Sequence, residues 1–232
     1  RANPFAYPVG AKGQETIEDV SDVCVANYHK LGLEGLIVVG GDGTQGIAHR
    51  LMSKGLKVIG IPKTIDNDLE ATEYTIGYQT AVDIACEAID RLHSTAESHD
   101  RIIICEVMGR YAGWIAMHAG LSSGAEVILI PEVDYDIDRV VASMQRRHRA
   151  GSSYSIVVVA EGTKPAGQGH AELREADATQ QARLGGAGER LAQEICDRTD
   201  FEVRNTVLGH VQRGGTPSAF DRLLATQFGV AA

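Results

Sequence analysis

The 232-residue sequence has few cysteines and no long apolar run, and each shortage argues against a class of protein. Its four cysteines lie far apart and form no Cys-x-x-Cys pair, unlike a disulfide scaffold, a zinc site or a dithiol redox site. We therefore expect buried free thiols and a cytoplasmic protein. Apolar runs such as residues 127–131 are much shorter than the roughly 20 residues of a membrane-spanning helix, so we expect no membrane span.

Positive charge is also scarce. Lys and Arg total 22 against 31 Asp and Glu, a formal net charge of -9. This balance argues against broad binding to nucleic acid or to an anionic membrane. Sixteen of the 22 basic residues are arginine, whose planar fork suits phosphate and carboxylate groups. An anionic ligand would therefore require local clusters of arginine.

The order of apolar segments predicts an α/β fold. Short β-branched runs alternate with amphipathic stretches of helical length, which is typical of a parallel sheet covered by helices on both faces. Asp136 is expected to cap one helix, and Gly32 to end another. The predicted strands are Gly35–Val39, Lys57–Ile61, Arg101–Val107, Val127–Ile130, Ser155–Ala160 and Val203–Leu208.

Two long polar segments, residues 62–77 and 162–186, follow predicted strands. Long loops at the carboxyl ends of strands in α/β sheets usually carry function. We expect the chemistry of the protein to lie there and in the neighbouring turns.

The run Gly-Gly-Asp-Gly-Thr (40–44) leaves the first of these strands and enters a helix. Its glycines would let the backbone approach a ligand, and the first amides of the helix would face an anion. Asp42 would repel a phosphate unless it held Mg²⁺. By itself, the run is explained equally well as a tight turn that requires glycine.

The run Pro-Lys-Thr-Ile-Asp-Asn-Asp (62–68) follows the next strand. In extended backbone Asp66 and Asp68 would share a face. One could accept a proton from a substrate hydroxyl while the other assists a metal ion, and Lys63 could neutralise charge on the transferred group. Taken alone, this run is explained more simply as a loop whose Asx side chains bond their own backbone.

Two further clusters contain arginine. Met-Gly-Arg-Tyr-Ala-Gly (108–113) leaves a third strand, and Arg110 could bind phosphate in a two-pronged manner; an exposed loop arginine is the alternative. Leu-Gly-His-Val-Gln-Arg-Gly-Gly (208–215) follows Arg204 and has the residue types of a phosphate site. Glu161, after another strand, could bind sugar hydroxyls or could be an ordinary acid at a loop.

The order and spacing of the four runs closely resemble the 6-phosphofructokinase family, from Arg1 to about Gly229. The resemblance implies phosphoryl transfer from Mg-ATP, or in one branch from pyrophosphate, to the 1-hydroxyl of fructose 6-phosphate. It also implies a fragment, because family subunits have further N-terminal and C-terminal parts.

The site residues follow from the resemblance together with the reasoning above, with Asp66 as proton acceptor and Asp42 as the Mg²⁺ ligand. The expected catalytic residues are Lys63, Thr64, Asp66, Asp68 and Arg110. The expected donor-binding residues are Arg1, Ala2, Gly41, Asp42, Gly43 and Thr44. The expected fructose 6-phosphate contacts are Thr64, Ile65, Asp66, Arg101, Met108, Gly109, Arg110, Glu161, Arg204, His210, Val211, Gln212 and Arg213.

The implied architecture is α/β, with two doubly wound Rossmann-like lobes and parallel-rich sheets. Residues 1–77 and 212–232 would form an incomplete donor lobe, and residues 78–211 the fructose 6-phosphate lobe. Arg101 and Arg204 resemble residues that reach the sugar phosphate of a neighbouring subunit, which implies a homodimer or homotetramer with shared active sites.

Two residues point to different donors. In the family, glycine at the position of Gly43 goes with ATP, whereas lysine at the position of Lys63 is usual in pyrophosphate enzymes. We favour ATP, because a missing side chain leaves room for it, and keep pyrophosphate as the alternative. NAD and lipid kinases share the Gly-Gly-Asp-Gly turn but lack the runs at 63–68 and 108–113. A non-catalytic sugar-phosphate-binding subunit is disfavoured by Asp42 and Asp66.

Overall fold

The computed structural model describes residues 3–10, 16–174 and 183–232. Arg1 and Ala2 lie outside the described residues. The strands are β1 Tyr7–Val9, β2 Thr16–Glu18, β3 Leu36–Gly40, β4 Val58–Pro62, β5 Ile102–Val107, β6 Val127–Leu129, β7 Ser155–Ala160, β8 Glu172–Arg174, β9 Arg183–Leu184 and β10 Val203–Val207. The helices are α1 Ser21–Lys30, α2 Asp42–Met52, α3 Tyr78–Ser98, α4 Trp114–Ser122, α5 Ile137–Arg149, α6 Ala187–Cys196 and α7 Ala219–Ala231, with a 3₁₀ turn at Gly209–Arg213.

The larger sheet is parallel throughout, in the order β10-β5-β7-β6. Every residue of β5 and β7 is buried, which explains their nearly continuous apolar sequences. Alternate side chains point to opposite faces: Ile103 and Val158 pack against α3 and α4, whereas Ile104 and Val157 pack against α5 and α6. Helices therefore cover both faces of this sheet.

A second parallel pair, β3 and β4, aligns Leu36 with Val58. One face of the pair packs against α1 and α2 through Leu36 and Val58. The alternate residues Ile37, Val39 and Ile59 are 59%, 51% and 46% exposed. This pair is thus covered on one face within the described part of the chain.

The α/β class and the parallel sheets are confirmed, and the six predicted strands match observed strands to within one residue at each end. Asp136 caps α5 by accepting from the amides of Asp138 and Arg139, and Gly32 has φ +63° after α1. The antiparallel pairs β1–β2 and β8–β9 were not predicted, because these strands are at most three residues long.

The prediction of buried thiols is right for Cys105 and wrong for Cys196, which is exposed as the last residue of α6. Cys24 and Cys86 are half-buried, and the four cysteines are free. In the described ranges no helix combines the length and the hydropathy that crossing a membrane requires.

Candidate active site

A cleft of about 320 Å³ lies where the turns after β3, β4 and β5 meet. Parallel strands bring their carboxyl ends to one edge of a sheet, so these turns become neighbours although they are far apart in sequence. The lining residues are Gly41, Asp42, Gly43, Thr64, Asp66, Asp68, Arg110, Tyr111 and Arg213.

The first wall is the start of α2. Gly41 lies tight against the next turn, since a Cβ there would be 3.1 Å from the Thr64 Cβ. Gln45, which sequence reasoning missed, fixes this turn because its Nε2 donates to the carbonyls of Gly40 and Ile61, each at 3.0 Å. No sequence pattern indicates that the side-chain amide of a glutamine in the first turn of a helix bonds the ends of two strands. The Thr44 side chain packs over Gly40 rather than lining the cleft.

Helix α2 differs from the other helices that follow a glycine cap. A distant carboxylate accepts from an amide at the start of α3, α4 and α6, these acceptors being Asp221, Glu132 and Glu106 respectively. The amides of Asp42 and Gly43 have no acceptor within residues 3–10, 16–174 and 183–232. An open helix N-terminus attracts anions, so this wall is suited to phosphate.

Asp66 also lines the cleft and is 8% exposed. Thr64 Oγ1 donates to its Oδ2 at 3.3 Å, whereas Oδ1 is buried without a partner in the described structure. Burial raises the pKa of Asp66, and the charge of Asp68 raises it further against the opposing effect of Arg213. The geometry leaves one carboxylate oxygen available to accept a proton.

The loop that carries Asp66 is held by its asparagine and by a buried threonine. Asn67, at φ +52°, accepts from the amide of Thr75 at 2.9 Å. Thr75 Oγ1 donates to the carbonyl of Thr64 at 2.7 Å. The interpretation of this run as a loop whose Asx side chains bond their own backbone therefore holds for Asn67. Asp66 and Asp68 instead line the cleft.

Arg110 adopts a left-handed backbone, at φ +55°, which costs roughly 1–2 kcal/mol for a residue with a side chain. The carboxylate of Glu161 accepts from the Arg110 amide at 3.1 Å and holds this conformation. Burial raises the pKa of Glu161. Glu161 thus lies behind the arginine and outside the cleft lining.

Arg213 reaches the cleft from the 3₁₀ turn. Its neighbour Gln212 is buried and accepts from the amide of Met108 at 2.9 Å, which ties this turn to the end of β5. His210 and Val211 are exposed and do not line the cleft.

Lys63 and Ile65 line a neighbouring cavity of about 350 Å³, together with Gln212 and Arg213. The strand-end residues Met108 and Gly109 are buried.

The structure does not bring Arg101 and Arg204 to this cleft. They lie at the amino ends of β5 and β10, and both pair with the carboxylate of Glu202. A strand of five residues spans about 17 Å. These arginines therefore lie at the amino ends of the strands, whereas the cleft lies at the carboxyl ends.

The cleft fits a divalent cation in part. Asp42, Asp66 and Asp68 line it together, and the charge of Asp42 contributes to the raised pKa of Asp68. No cluster of three or more His, Cys, Asp or Glu able to hold a metal occurs among the residues described. Mg²⁺ commonly binds one or two carboxylates and takes its remaining ligands from substrate phosphates and water, which agrees with Asp42 and Asp68 lining the same cleft.

Comparisons with known proteins are consistent with this geometry. Residues 9–232 match the family model described as Phosphofructokinase. The chain is 49% identical over 99% of its length to "ATP-dependent 6-phosphofructokinase 2" of Clostridium perfringens, covering 64% of that protein. It is 53% identical over 99% of its length to "Pyrophosphate--fructose 6-phosphate 1-phosphotransferase" of Streptomyces coelicolor, covering 65% of it.

A solved phosphofructokinase structure from Saccharomyces cerevisiae superposes with a TM-score of 0.73 at 31% identity, over 89% of this chain and 29% of that one. The chain therefore spans under two thirds of the length of these relatives.

Gly162→Ala should destabilise the Arg110 turn. A Cβ at Gly162 would lie 1.9 Å from the Arg110 carbonyl oxygen, and such overlap costs about 1–3 kcal/mol. Gly46→Ala in α2 is the control, because nothing lies within 4 Å of its Cβ and alanine favours a helix by about 0.5–1 kcal/mol. Denaturant unfolding measures both; equal stability of the two variants would contradict the close contact.

Asp66→Asn should stabilise the protein at pH 7 in the absence of substrates and Mg²⁺. Because burial raises the folded-state pKa of Asp66, its ionisation opposes folding once the pH exceeds its unfolded pKa of about 3.9. The gain should therefore shrink as the pH falls towards that value. Thermal unfolding across this range measures it, with Asp200→Asn as an exposed control; a gain independent of pH would contradict the assignment.

Proposed function

Because the chain belongs to the phosphofructokinase family, we propose that it forms the catalytic part of an enzyme that phosphorylates fructose 6-phosphate at its 1-hydroxyl, giving fructose 1,6-bisphosphate, with ATP as donor. The observation that carries the proposal is the pairing, across one cleft, of an open helix N-terminus with a buried carboxylate oxygen that has no partner. The first suits a donor phosphate, and the second suits an acceptor hydroxyl.

In this proposal Asp66 accepts the proton of the 1-hydroxyl. Thr64 donates to Asp66 Oδ2, which leaves Oδ1, without a partner in the described structure, as the proposed proton-accepting oxygen. Arg110 and Arg213 lie on the cleft wall and neutralise charge on the transferred group. Phosphoryl transfer depends mainly on positioning and charge neutralisation, which these four side chains provide without a covalent intermediate.

Mg²⁺, when bound, would neutralise donor phosphate charge, and Asp42 is the residue proposed to hold it, with Asp68 nearby. The amides of Asp42 and Gly43, together with Gly41 and Thr44, form the proposed donor turn. Met108, Gly109, Glu161, His210 and Gln212 belong to the proposed sugar-phosphate side, where Glu161 and Gln212 act through the backbone contacts described above.

We also propose the subunit organisation implied by the family. Residues 1–77 and 212–232 would belong to the donor lobe and residues 78–211 to the sugar-phosphate lobe. Since Arg101 and Arg204 lie at the far edge of the sheet, they are proposed to serve the cleft of another copy in a homodimer or homotetramer. The free cysteines support a cytoplasmic location.

The second candidate donor is pyrophosphate. Relatives named for each donor have similar identity to this chain, and Lys63 is the residue usual in pyrophosphate enzymes. Two observations favour ATP: Gly43 lines the cleft without a side chain, and Lys63 lines the adjoining cavity instead of the cleft.

The donor proposal predicts turnover with ATP that Gly43→Asp abolishes, because the new carboxylate fills the cleft and repels the donor phosphates. Gly46→Asp, with the same charge change on the exposed side of the helix, should retain it. A coupled assay of the whole protein with each donor measures this. Strong turnover with pyrophosphate and none with ATP would overturn the donor assignment.

The catalytic proposal predicts that Asp66→Ser loses turnover by about 10²–10⁴-fold, the usual contribution of a general base, while fructose 6-phosphate binding persists. Calorimetric titration and the coupled assay separate the two effects, and Asp200→Ser is the exposed control. Undiminished turnover in Asp66→Ser would remove Asp66 from its role. A wild-type protein that binds the sugar phosphate but turns over neither donor would support the non-catalytic subunit instead.

A further inference from the structure

The carboxylate of Asp221 joins two segments of the chain that both reach the cleft. Asp221 lies in the first turn of α7 and is 2% exposed. Its Oδ1 accepts from the Gly77 amide at 2.8 Å, and its Oδ2 accepts from the Thr80 amide at 2.8 Å and from the Thr80 hydroxyl. Asp221 therefore caps α3, whose N-cap residue Gly77 lies 144 residues earlier.

On one side, this contact leads directly to the loop that carries the proposed base. Ile76, adjacent to the capped Gly77, donates its amide to the Pro62 carbonyl at 3.0 Å and forms a parallel bridge with Lys63. Thr75 then bonds the Thr64 carbonyl at 2.7 Å. The end of the loop, Thr75 and Ile76, thus holds its beginning in place. The residue held by Thr75 is Thr64, two residues before Asp66.

On the other side, the contact fixes the segment that carries Arg213. The amide of Ser218 donates to Thr80 Oγ1 at 2.9 Å, and the same hydroxyl donates to Asp221, so Thr80 holds this segment at two points. Eight residues before Asp221, Arg213 lines the cleft, and Gln212 is anchored on Met108. The segment 212–221 is consequently held at both ends.

These contacts let one buried side chain, together with the Gln212–Met108 contact, set the separation between Asp66 and Arg213. Arg213 acts on the charge of Asp66, and both line the cleft. A buried carboxylate that accepts several hydrogen bonds is a rigid junction, and an amide in its place would set a donor against the Thr80 amide.

We propose that Asp221 is a positioning residue for phosphoryl transfer, which holds the Lys63–Asp66 loop and the Arg213 segment in register across the cleft. The inference rests on the proposed function, because it assigns Arg213 and Asp66 to the same reaction. Asp221 itself does not line the 320 Å³ cleft, so its effect is exerted through the residues that it holds.

The test compares Asp221→Asn with Ser218→Ala in the whole protein. Ser218→Ala removes the local cap of α7 and a 3.4 Å hydrogen bond to Asp221 Oδ2, but leaves the amides of Gly77 and Thr80 bonded to the carboxylate. Kinetic constants are measured per folded molecule, well below the unfolding temperature of each variant. We expect Asp221→Asn to lower kcat by up to about 10²-fold, as a misplacement of about 1 Å can do, and to raise the KM for fructose 6-phosphate.

Ser218→Ala should lower the unfolding temperature without changing kcat or KM. If both variants lose stability and both keep wild-type constants, Asp221 has a structural role only and the inference fails. If Asp221→Asn does not fold, Thr80→Val tests the inference with the same kinetic and stability measurements, because it removes the hydroxyl that bonds Asp221 and Ser218. Thr80→Ser keeps that hydroxyl and should show wild-type kinetic constants.

Hydrogen exchange separates this inference from the proposed function. A wild-type protein with no turnover on either donor would overturn the proposed function. Amide exchange in residues 62–68 and 208–213 would then decide the present inference. Faster exchange in both segments of the Asp221 or Thr80 variant, relative to Ser218→Ala, supports the junction, and unchanged exchange in either segment overturns it.

Discussion

The amides left unpaired at the start of each helix govern how this chain is organised. An α-helix begins with N–H groups that have no partner in the helix, and burial makes such groups costly. Where a glycine precedes the helix, no local side chain can accept from them. In α3, α4 and α6 a distant carboxylate takes that role, so each cap is also a long-range tie between segments. Helix α2 has no such acceptor among the described residues, and its free amides face the cleft.

The cleft combines features that oppose folding. Asp66 is buried with an oxygen that has no partner in the described structure, burial and the charge of Asp42 raise the pKa of Asp68, and Arg110 has a left-handed backbone. Each feature costs free energy in the folded state. Such sites persist because many other contacts hold the surrounding structure in place. Here the apolar clusters on both faces of the larger sheet supply the stability that offsets these costs.

The parts of the fold that were predictable depend on local patterns. Continuous apolar runs identified β5 and β7, because a parallel strand buried on both faces needs apolar side chains on both. The Gly-Gly-Asp-Gly turn and the Asp66 loop were found because each directly follows a short apolar run, β3 and β4 respectively. The tie made by Asp221 was not predictable. Its spacing from Ser218 indicates the start of a helix, but no sequence pattern indicates that the carboxylate turns outward to cap α3. The role of Glu106 was not predictable either. In the sequence it is an acidic residue within an apolar strand, and only the structure shows that its carboxylate accepts from the amides of Gly186 and Gly188.

The distribution of arginine also explains how an acidic chain could handle phosphorylated ligands. Arg110 and Arg213 converge on the cleft, whereas Arg101 and Arg204 share Glu202 at the amino ends of β5 and β10. Those two strands are held in register by a parallel ladder, so the second pair cannot approach the first without dismantling the sheet. The Glu202 carboxylate pairs with both arginines of the second pair and partly neutralises their charge. Within one copy of the chain, the larger sheet therefore separates the two pairs of arginines.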